Sequence, residues 1–383
     1  MKIETLEVIR FSYTAHVAPD AGGHAHPAPG HPGTGALLRL STDTGETGQV
    51  VVPPGSLEAP LVETWLRPAV IGAEPLRIAA VWQTLYHAQR GSGGRLTDRA
   101  LAAVELAMWD LKGRILGQPV WKLLGGLRGR VPAYASTMCG DGIPGGLATP
   151  EDYARFAEWL VRERGYRGVK LHTWMPPLAG APDVRRDAAA CAAVREAVGP
   201  DVPLMLDPHH YYTRDEALWL GRQLEALDFL WMEEPMEEAS ISAYRWLNAR
   251  LGRLAILGPE TAPGKHWTRA EWVVQGACDM LRTGVWDVGG IGPSLKIAHL
   301  AESFHMACEV HGTGAGNLAV VAAIPNARFY ERGLLHPHLD YEAPAQFQCR
   351  IDDEMDGDGY VHLRETPGLG QDLDVDFIEA HRL

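Results

Sequence analysis

The 383-residue sequence predicts an α/β fold in which a parallel β/α barrel follows an α+β region. Beyond about residue 130, short apolar segments alternate with segments whose apolar residues have helical spacing, as in consecutive strand–helix units. Several of the apolar segments end in polar side chains, which is typical of strands that run into loops at the mouth of a barrel. The first part of the chain instead mixes strand and helix patterns.

Composition and charge exclude several classes of protein. The net charge is −13 and no run of Lys or Arg interrupts the acidic balance, so we expect neither nucleic-acid binding nor attraction to an anionic membrane. The 5 cysteines are widely spaced and include no CxxC pair, which predicts neither a zinc site nor a disulfide framework. The chain begins with a strand pattern and has no long uncharged apolar run, which predicts a cytoplasmic protein.

Residues 1–127 are predicted to form an α+β domain. Antiparallel strands are expected over residues 2–13 and 36–52, and a helix over residues 98–116. The intervening segment, residues 16–35, is rich in His, Pro and Gly. We expect a loop there, which is either mobile and closes over a site or is a solvated surface loop.

Residues 128–340 are predicted to form the barrel, and residues 341–383 to pack back on the N-terminal domain. Right-handed crossovers through the intervening helices would close the strands into a parallel barrel. The segments with the pattern of buried strands are 131–137, 168–174, 203–209, 229–235, 255–260, 278–284, 307–312 and 327–333.

Three consecutive strand segments end in a carboxylate, namely Asp207, Glu233 and Glu260. They recur at intervals of about one strand–helix–strand unit, so the carboxylates should converge on adjacent strands. Convergent carboxylates raise one another's pKa unless a cation neutralises them, and ligands that are all oxygen favour a hard ion such as Mg²⁺. The alternative is that each residue caps a helix or forms a salt bridge.

Other strand ends are also polar. Lys170 and His172 are separated by one residue, so both side chains point to the same side of the second strand. The sixth strand runs toward Asp287, the seventh ends in His311 and the eighth carries Glu331. Histidine titrates near neutral pH, which suits a general base.

An ordered set of motifs resembles the enolase superfamily, in its mandelate racemase and muconate lactonizing enzyme-like branch. The motifs are AMWDLKGRILGQPVWKLLGG (107–126), GVKLH, LMLDPHH, WMEEP, LGPET, GGI and EVHG. The resemblance covers nearly the whole chain. It implies a modified (β/α)7β TIM-like barrel with an N-terminal α+β capping domain that the C-terminal tail completes. It also implies a homo-oligomer, either a dimer or an octamer.

The resemblance implies a chemistry, which is Mg²⁺-dependent abstraction of the proton α to a carboxylate. Such a proton is weakly acidic, because its removal places two negative charges on the carboxylate oxygens, and a metal ion stabilises the resulting enediolate. Members of this superfamily pair a Lys or His base with Mg²⁺. The resemblance implies that Asp207, Glu233 and Glu260 are the metal ligands. Glu234 is expected to lie next to these ligands without binding the metal ion itself.

The remaining roles also follow from the resemblance. Lys170 is expected to neutralise the substrate carboxylate, and His172 and His311 are expected to be bases on opposite faces of the substrate. Glu331 is expected to hydrogen-bond the substrate carboxylate or its enediolate, and it would have to be protonated to donate that bond. The substrate is a small carboxylate, with no nucleic acid or membrane partner.

One position departs from the family pattern. Members with a catalytic seventh-strand His usually carry an Asp where this chain has Gly284. Asp287 lies three residues further on, and on a continuing strand this odd offset points to the other side. Either the chain bends so that Asp287 partners His311, or His311 works without an Asp.

Two histidines that flank the α-carbon are expected to dehydrate a sugar acid to a 2-keto-3-deoxy acid, which predicts a lyase. Racemisation or epimerisation, and cycloisomerisation of an aldarate lactone, are alternatives that share the first proton abstraction. A catalytically idle relative that binds metal and sugar acids is an alternative of another class. Polar and aromatic residues that could contact the substrate are His24, His26, His209, Tyr211 and Trp286.

Overall fold

The computed structural model describes residues 1–53 and 55–383. Its N-terminal region contains an antiparallel sheet in the order β1 (Ile3–Pro19), β2 (Ala25–Thr42) and β3 (Thr47–Val52). In β3, buried residues alternate with more exposed ones, as expected for a sheet that covers a core with one face. The helices of this region are α1 (Ala59–Leu61), a π-helical segment (Val62–Leu66), α2 (Arg67–Val70), α3 (Ile78–Gly91), α4 (Asp98–Leu116) and α5 (Val120–Leu123).

The loop predicted over residues 16–35 is wrong, because this segment forms the far end of a long β-hairpin. β1 continues to Pro19 and β2 starts at Ala25, so residues 20–24 form the turn. Prolines suggested a loop, but β2 pairs with β3 only over Ala36–Ser41. N-terminal to residue 36, β2 pairs with β1 alone, and a strand with one partner tolerates residues such as Pro27 and Pro32 that lack an N–H.

Parallel strands follow, in the segments where they were predicted. They are β4 (Arg130–Thr137), β5 (Val169–His172), β6 (Leu204–Asp207), β7 (Trp231–Glu233), β8 (Ala255–Leu257), β9 (Leu281–Thr283), β10 (Cys308–Val310) and β11 (Tyr330–Leu335). The ladder runs β11-β4-β5-β6-β7-β8, and β9 pairs with β10. A bridge between Leu257 and Met280 joins β8 to the segment before β9. The predicted barrel fold is confirmed.

Helices separate the strands and begin at local sequence signals. The Thr149 side chain accepts from the Asp152 amide at the start of α6, and Thr213 and Glu216 form a capping box at α8. These helices are α6 (Pro150–Arg162), α7 (Val184–Val198), α8 (Arg214–Ala226), α9 (Ile241–Asn248), α10 (Lys265–Gln275), α11 (Val285–Val288), α12 (Ile291–Ser303) and α13 (Ala315–Ala323). Over residues 1–53 and 55–383, no helix combines the length and apolar character needed to cross a membrane.

The C-terminal segment contacts both the barrel and the N-terminal region. Its elements are β12 (Gln348–Arg350), β13 (Tyr360–His362), β14 (Asp372–Leu373) and α14 (Val375–Ala380). β13 pairs antiparallel with β4, and α14 packs against β1. The tail therefore links the two regions through backbone pairing as well as packing.

Helix α4 joins the N-terminal sheet to the barrel. The helix is capped by the Thr97 side chain and ends at Gly117, whose φ of 64° is the left-handed conformation that favours glycine. On the barrel side, the Glu105 carboxylate accepts hydrogen bonds from the amides of Ile291 (2.6 Å) and Gly292 (2.7 Å) at the start of α12. On the other side, β3 lies directly against α4 at Gly48.

We expect Gly48→Ala to lower the free energy of unfolding by roughly 1–3 kcal/mol, because overpacking forces backbone to move. A Cβ at residue 48 would overlap the carbonyl oxygen of Ala107 and the amide nitrogen of Leu111. Chemical denaturation measures the effect. Gly129→Ala is the matched control, since a Cβ there meets nothing within 4 Å. An equal effect of both substitutions would contradict the packing of β3 on α4.

Candidate active site

Titratable side chains, most of them buried, converge at the carboxyl ends of the barrel strands. The parallel register of β5 and β6 pairs His172 with Asp207, and Glu233 is the last residue of β7. Lys170 lies on β5, Arg282 on β9 and Glu331 on β11. Glu260 follows β8, and His311 follows β10. The set comprises Lys170, His172, Asp207, Glu233, Glu260, Arg282, His311 and Glu331.

The three acids predicted to converge do so, and two side-chain cations contact them. Asp207, Glu233 and Glu260 are 3%, 0% and 7% exposed. Lys170 Nζ lies 3.0 Å from Glu233 Oε2 and 3.5 Å from Asp207 Oδ2. Arg282 Nε lies 2.6 Å from Glu233 Oε1 and 3.4 Å from Glu260 Oε2. The acids are therefore held apart by positive charge.

The donor set fits a hard divalent cation. Glu234, next to Glu233, is also buried, and its Oε2 has no hydrogen-bond partner among the residues that the structure describes. Burial raises the pKa of Glu234, and the charges of Glu260 and Asp207 raise it further, well above its ordinary value. Such an excess of buried carboxylate oxygen is what Mg²⁺, which prefers oxygen ligands, neutralises.

A second arrangement of ligand atoms includes nitrogen. The ligand atoms of His172, Asp207 and His209 all lie within 4.8 Å of one another. In the described part of the chain, the three predicted acids are not grouped this closely, because side-chain cations lie between them. Imidazole suits transition metals, whereas Mg²⁺ prefers oxygen. The all-oxygen triad is the better chemical match for Mg²⁺, and Asp207 belongs to both sets.

Two imidazoles, one at the end of β5 and one just after β10, are held in the same way. The Nδ1–H group of His172 donates to the carbonyl oxygen of Thr137 at 2.7 Å, and its Nε2 lies 3.0 Å from Asp207 Oδ2. The Nδ1 atom of His311 lies 2.8 Å from Asp287 Oδ2. Each ring is therefore anchored through Nδ1 and directs Nε2 toward the acids of the site.

Asp287 partners His311, so of the two alternatives the one in which the chain bends is observed. The chain does not continue as a strand, because α11 begins directly after Gly284 and strand alternation no longer applies. A Cβ at residue 284 would overlap Asp287 Oδ2, so the missing side chain makes room for this carboxylate. Burial lowers the pKa of His311, but Glu260 and Asp287 outweigh burial and raise the pKa to about 10.

The surroundings of Glu331 disfavour the protonated acid that donation to a substrate would require. Burial raises its pKa, but Lys170 and then Arg282 outweigh burial and hold the pKa well below its ordinary value. Lys170 Nζ lies 2.9 Å from Oε1, and Arg282 Nη2 lies 2.7 Å from Oε2. The amide of Gly312 also donates to Oε2, at 2.8 Å. In this arrangement Glu331 accepts hydrogen bonds and donates none.

Arg282 belongs to the site, although the sequence motifs gave it no role. Its side chain is fully buried, and its guanidinium contacts Glu233, Glu260 and Glu331. A signal was present, because Arg282 lies two residues before Gly284 and therefore shares its side of the strand. A second cation was also needed, since Lys170 alone cannot balance the converging acids.

The turn of the β1–β2 hairpin lies over the side of the site that carries His172. The ring centroids of His24 and His209 are 5.1 Å apart, and those of His209 and His172 are 5.5 Å apart. The Tyr211 ring lies 6.1 Å from that of His24. The structure thus brings His24, His209 and Tyr211 together at one rim.

His26 and Trp286 lie outside this rim cluster. His26 Nε2 lies 3.2 Å from Asp20 Oδ2 in the hairpin turn. Trp286, on α11, packs against the hydrophobic core. Contact of either residue with a substrate stays a prediction.

A cavity of about 1380 Å³ lies beside the titratable cluster, between the hairpin and the C-terminal segment. Its walls include Ala15 and Pro27 of the hairpin, Thr313 and Gly314 after β10, and Leu335 of β11. The acids of the titratable cluster, from Asp207 to Glu331, do not line the cavity. Because Thr313 follows His311 closely in the chain, the cavity adjoins the site on the His311 side.

Comparison with known proteins identifies the family. Residues 35–125 match the family described as mandelate racemase / muconate lactonizing enzyme, N-terminal domain, and residues 152–377 match the one described as enolase C-terminal domain-like. The chain is 30% identical over 376 residues to a D-galactonate dehydratase family member of Streptomyces bingchenggensis, a match that covers 88% of this chain and 87% of that protein.

Solved structures agree with this match. The structure of D-glucarate dehydratase from Agrobacterium tumefaciens complexed with magnesium is 54% identical, has a TM-score of 0.98, and covers 100% of this chain and 99% of that one. A racemase from Streptomyces coelicolor with bound magnesium is 25% identical, with a TM-score of 0.79 and full coverage of both chains at 100%. The predicted lyase class and Mg²⁺ cofactor are confirmed. The chain belongs to the mandelate racemase and muconate lactonizing enzyme branch of the enolase superfamily.

Proposed function

We propose that this enzyme dehydrates a sugar acid to a 2-keto-3-deoxy acid. The observation that carries the proposal is the matched anchoring of His172 and His311, each held through Nδ1 with Nε2 directed at the acids of the site. Two groups of this kind suit dehydration, because one can take the α-proton while the other protonates the β-hydroxyl as it leaves.

Asp207, Glu233 and Glu260 are proposed to hold the cation, with Glu234 behind them. Bound there, Mg²⁺ would supply the positive charge that stabilises an enediolate. Lys170 is proposed to face the substrate carboxylate, since its ammonium group is buried among the acids and already pairs with a carboxylate of Glu331 at 2.9 Å.

His311 is proposed as the base of the Mg²⁺-loaded enzyme, where the cation would neutralise Glu260, one of the acids that raise the pKa of His311. When it takes the α-proton, the Asp287 carboxylate at Nδ1 stabilises the imidazolium that forms. His172 is proposed as the acid, which donates its Nε2 proton to the β-hydroxyl while the carbonyl of Thr137 fixes the ring through Nδ1. The α C–H and β C–O bonds break and water leaves. The enol product then gains a proton at the β-carbon and loses its hydroxyl proton, which gives the 2-keto acid.

The proposed substrate is a dicarboxylic sugar acid, with D-glucarate as the first candidate. The solved relative from Agrobacterium tumefaciens carries the name D-glucarate dehydratase. The rim formed by His24, His209 and Tyr211 offers imidazole and phenol groups within reach of a polyhydroxylated chain.

We expect the purified enzyme to form a 2-keto acid from D-glucarate in the presence of Mg²⁺. Mono- and dicarboxylic sugar acids are screened by keto-acid detection, with and without EDTA, and proton NMR in D₂O follows exchange at the α-carbon. EDTA should abolish turnover and excess Mg²⁺ should restore it. An epimer without keto acid would identify a racemase instead. Neither turnover nor α-exchange across the panel would contradict the proposal.

We expect the two histidine substitutions to separate the two proton transfers. His311→Asn should abolish both α-proton exchange and dehydration, because the base is lost. His172→Gln should lower dehydration by about 10²- to 10⁴-fold while α-exchange in D₂O persists, because only the acid is lost. Exchange that survives in His311→Asn and disappears in His172→Gln would reverse the assignment.

We expect His24→Ala to lower kcat/KM for the best sugar acid by about tenfold or more, since a lost hydrogen bond to a charged or polar substrate group costs on that order. Steady-state kinetics measures the effect. His31→Ala is the matched control on the same hairpin, because the His31 ring contacts only the local carbonyl of Pro29, at 3.0 Å, among its hydrogen bonds in the described chain. Equal values of kcat/KM for both variants would show that His24 does not contact the substrate.

A further inference from the structure

The turn that follows β8 is held on its amide side by a buried carboxylate. Glu238 Oε1 accepts from the amide of Glu260 at 2.7 Å. Glu238 Oε2 accepts from the amides of Thr261, at 2.7 Å, and Ala262, at 3.0 Å. The Thr261 hydroxyl also donates to Oε2, at 3.0 Å. Glu238 is 2% exposed, so these bonds to one turn satisfy a charge that water does not reach.

The carbonyl side of the same turn is held by a buried guanidinium. Arg269, on α10, donates from Nη2 to the carbonyl oxygen of Glu260 and from Nη1 to that of Ala262, both at 2.6 Å. Its side chain is 1% exposed. Among the described residues, Arg269 and Glu238 form no direct ion pair, so each charge acts on the backbone of the turn.

These bonds fix one residue from both directions. The amide of Glu260 is bound by Glu238 and its carbonyl by Arg269, which leaves the side chain as the part of Glu260 that can still move. Burial of a carboxylate and a guanidinium is costly unless their hydrogen bonds are satisfied. Structural support alone would not require two opposite charges at one short turn.

We propose that Glu238 and Arg269 are positioning residues that orient Glu260 toward Mg²⁺. They fix the peptide groups on both sides of the Glu260 Cα, so the carboxylate needs little reordering when the cation binds. Groups behind a metal ligand that orient it in this way strongly affect metal affinity. The proposal rests on Glu260 being a ligand, as in the proposed function.

The test is the affinity of the metal-stripped, full-length protein for Mg²⁺, measured by isothermal titration calorimetry. We expect Glu238→Gln to weaken binding by about 10- to 100-fold. The Gln amide keeps the size of the side chain but puts an N–H₂ donor where one carboxylate oxygen accepted, so at least one amide of the turn loses its acceptor and the turn relaxes. Arg269→Lys should act in the same direction, because an ammonium group lacks the fork that reaches two carbonyls.

Glu237→Gln is the matched control, since it removes the charge of an exposed neighbour. It should leave the affinity for Mg²⁺ unchanged. Circular dichroism without metal establishes whether each variant is folded. A folded Glu238→Gln protein with wild-type affinity would overturn the proposal. If Glu238→Gln does not fold, Thr261→Val at an exposed position replaces it, and affinity equal to that of Glu237→Gln would overturn the proposal.

Glu260→Gln separates this inference from the proposed function. Wild-type Mg²⁺ affinity in Glu260→Gln would show that Glu260 is not a ligand, and the positioning role would fall with it. Weak binding in Glu260→Gln together with wild-type affinity in folded Glu238→Gln would refute the positioning role alone and leave the ligand assignment intact.

Discussion

The rest of the site depends on one interaction, which is the pairing of buried carboxylates at the mouth of the barrel with two cations. The cations are Lys170 and Arg282. Four acids would repel one another in a place that water hardly reaches, so they can share it only beside positive charge. Arg282 contacts three of them and Lys170 contacts three, which ties neighbouring strands to a common centre. A divalent cation at the same place would neutralise further negative charge, in addition to the charge that Lys170 and Arg282 neutralise.

Orientation in this site comes from groups that do not react. The Thr137 carbonyl and the Asp287 carboxylate hold the two imidazoles through Nδ1, and Glu238 and Arg269 hold the backbone of Glu260. Each of these contacts leaves one functional atom free to face the centre. The barrel supplies rigid strand ends, and the hydrogen bonds from behind decide where the last atoms point.

Residues at strand ends were predictable because alternation and barrel geometry are local rules. Lys170 and His172 share a side because the side chains of a strand repeat every second residue, and the acids converge because parallel strands end at one face. The partner of His311 stayed open between two alternatives, because strand alternation stops at Gly284, where a helix begins, and the residue pattern does not show where the strand ends. The hairpin was missed because composition resembles a loop, whereas pairing with β1 is a long-range contact.

The sequence by itself determined the barrel, the family and the acids that gather at its mouth, since these follow from periodicity, spacing and ordered motifs. Only the tertiary structure decided the donors around Glu331, the partner of His311 and the burial of Arg282 among the acids. Each of these depends on groups far apart in the chain that meet at a few ångströms. Electrostatic energy in a buried site depends on such distances, and no local pattern of residues encodes them.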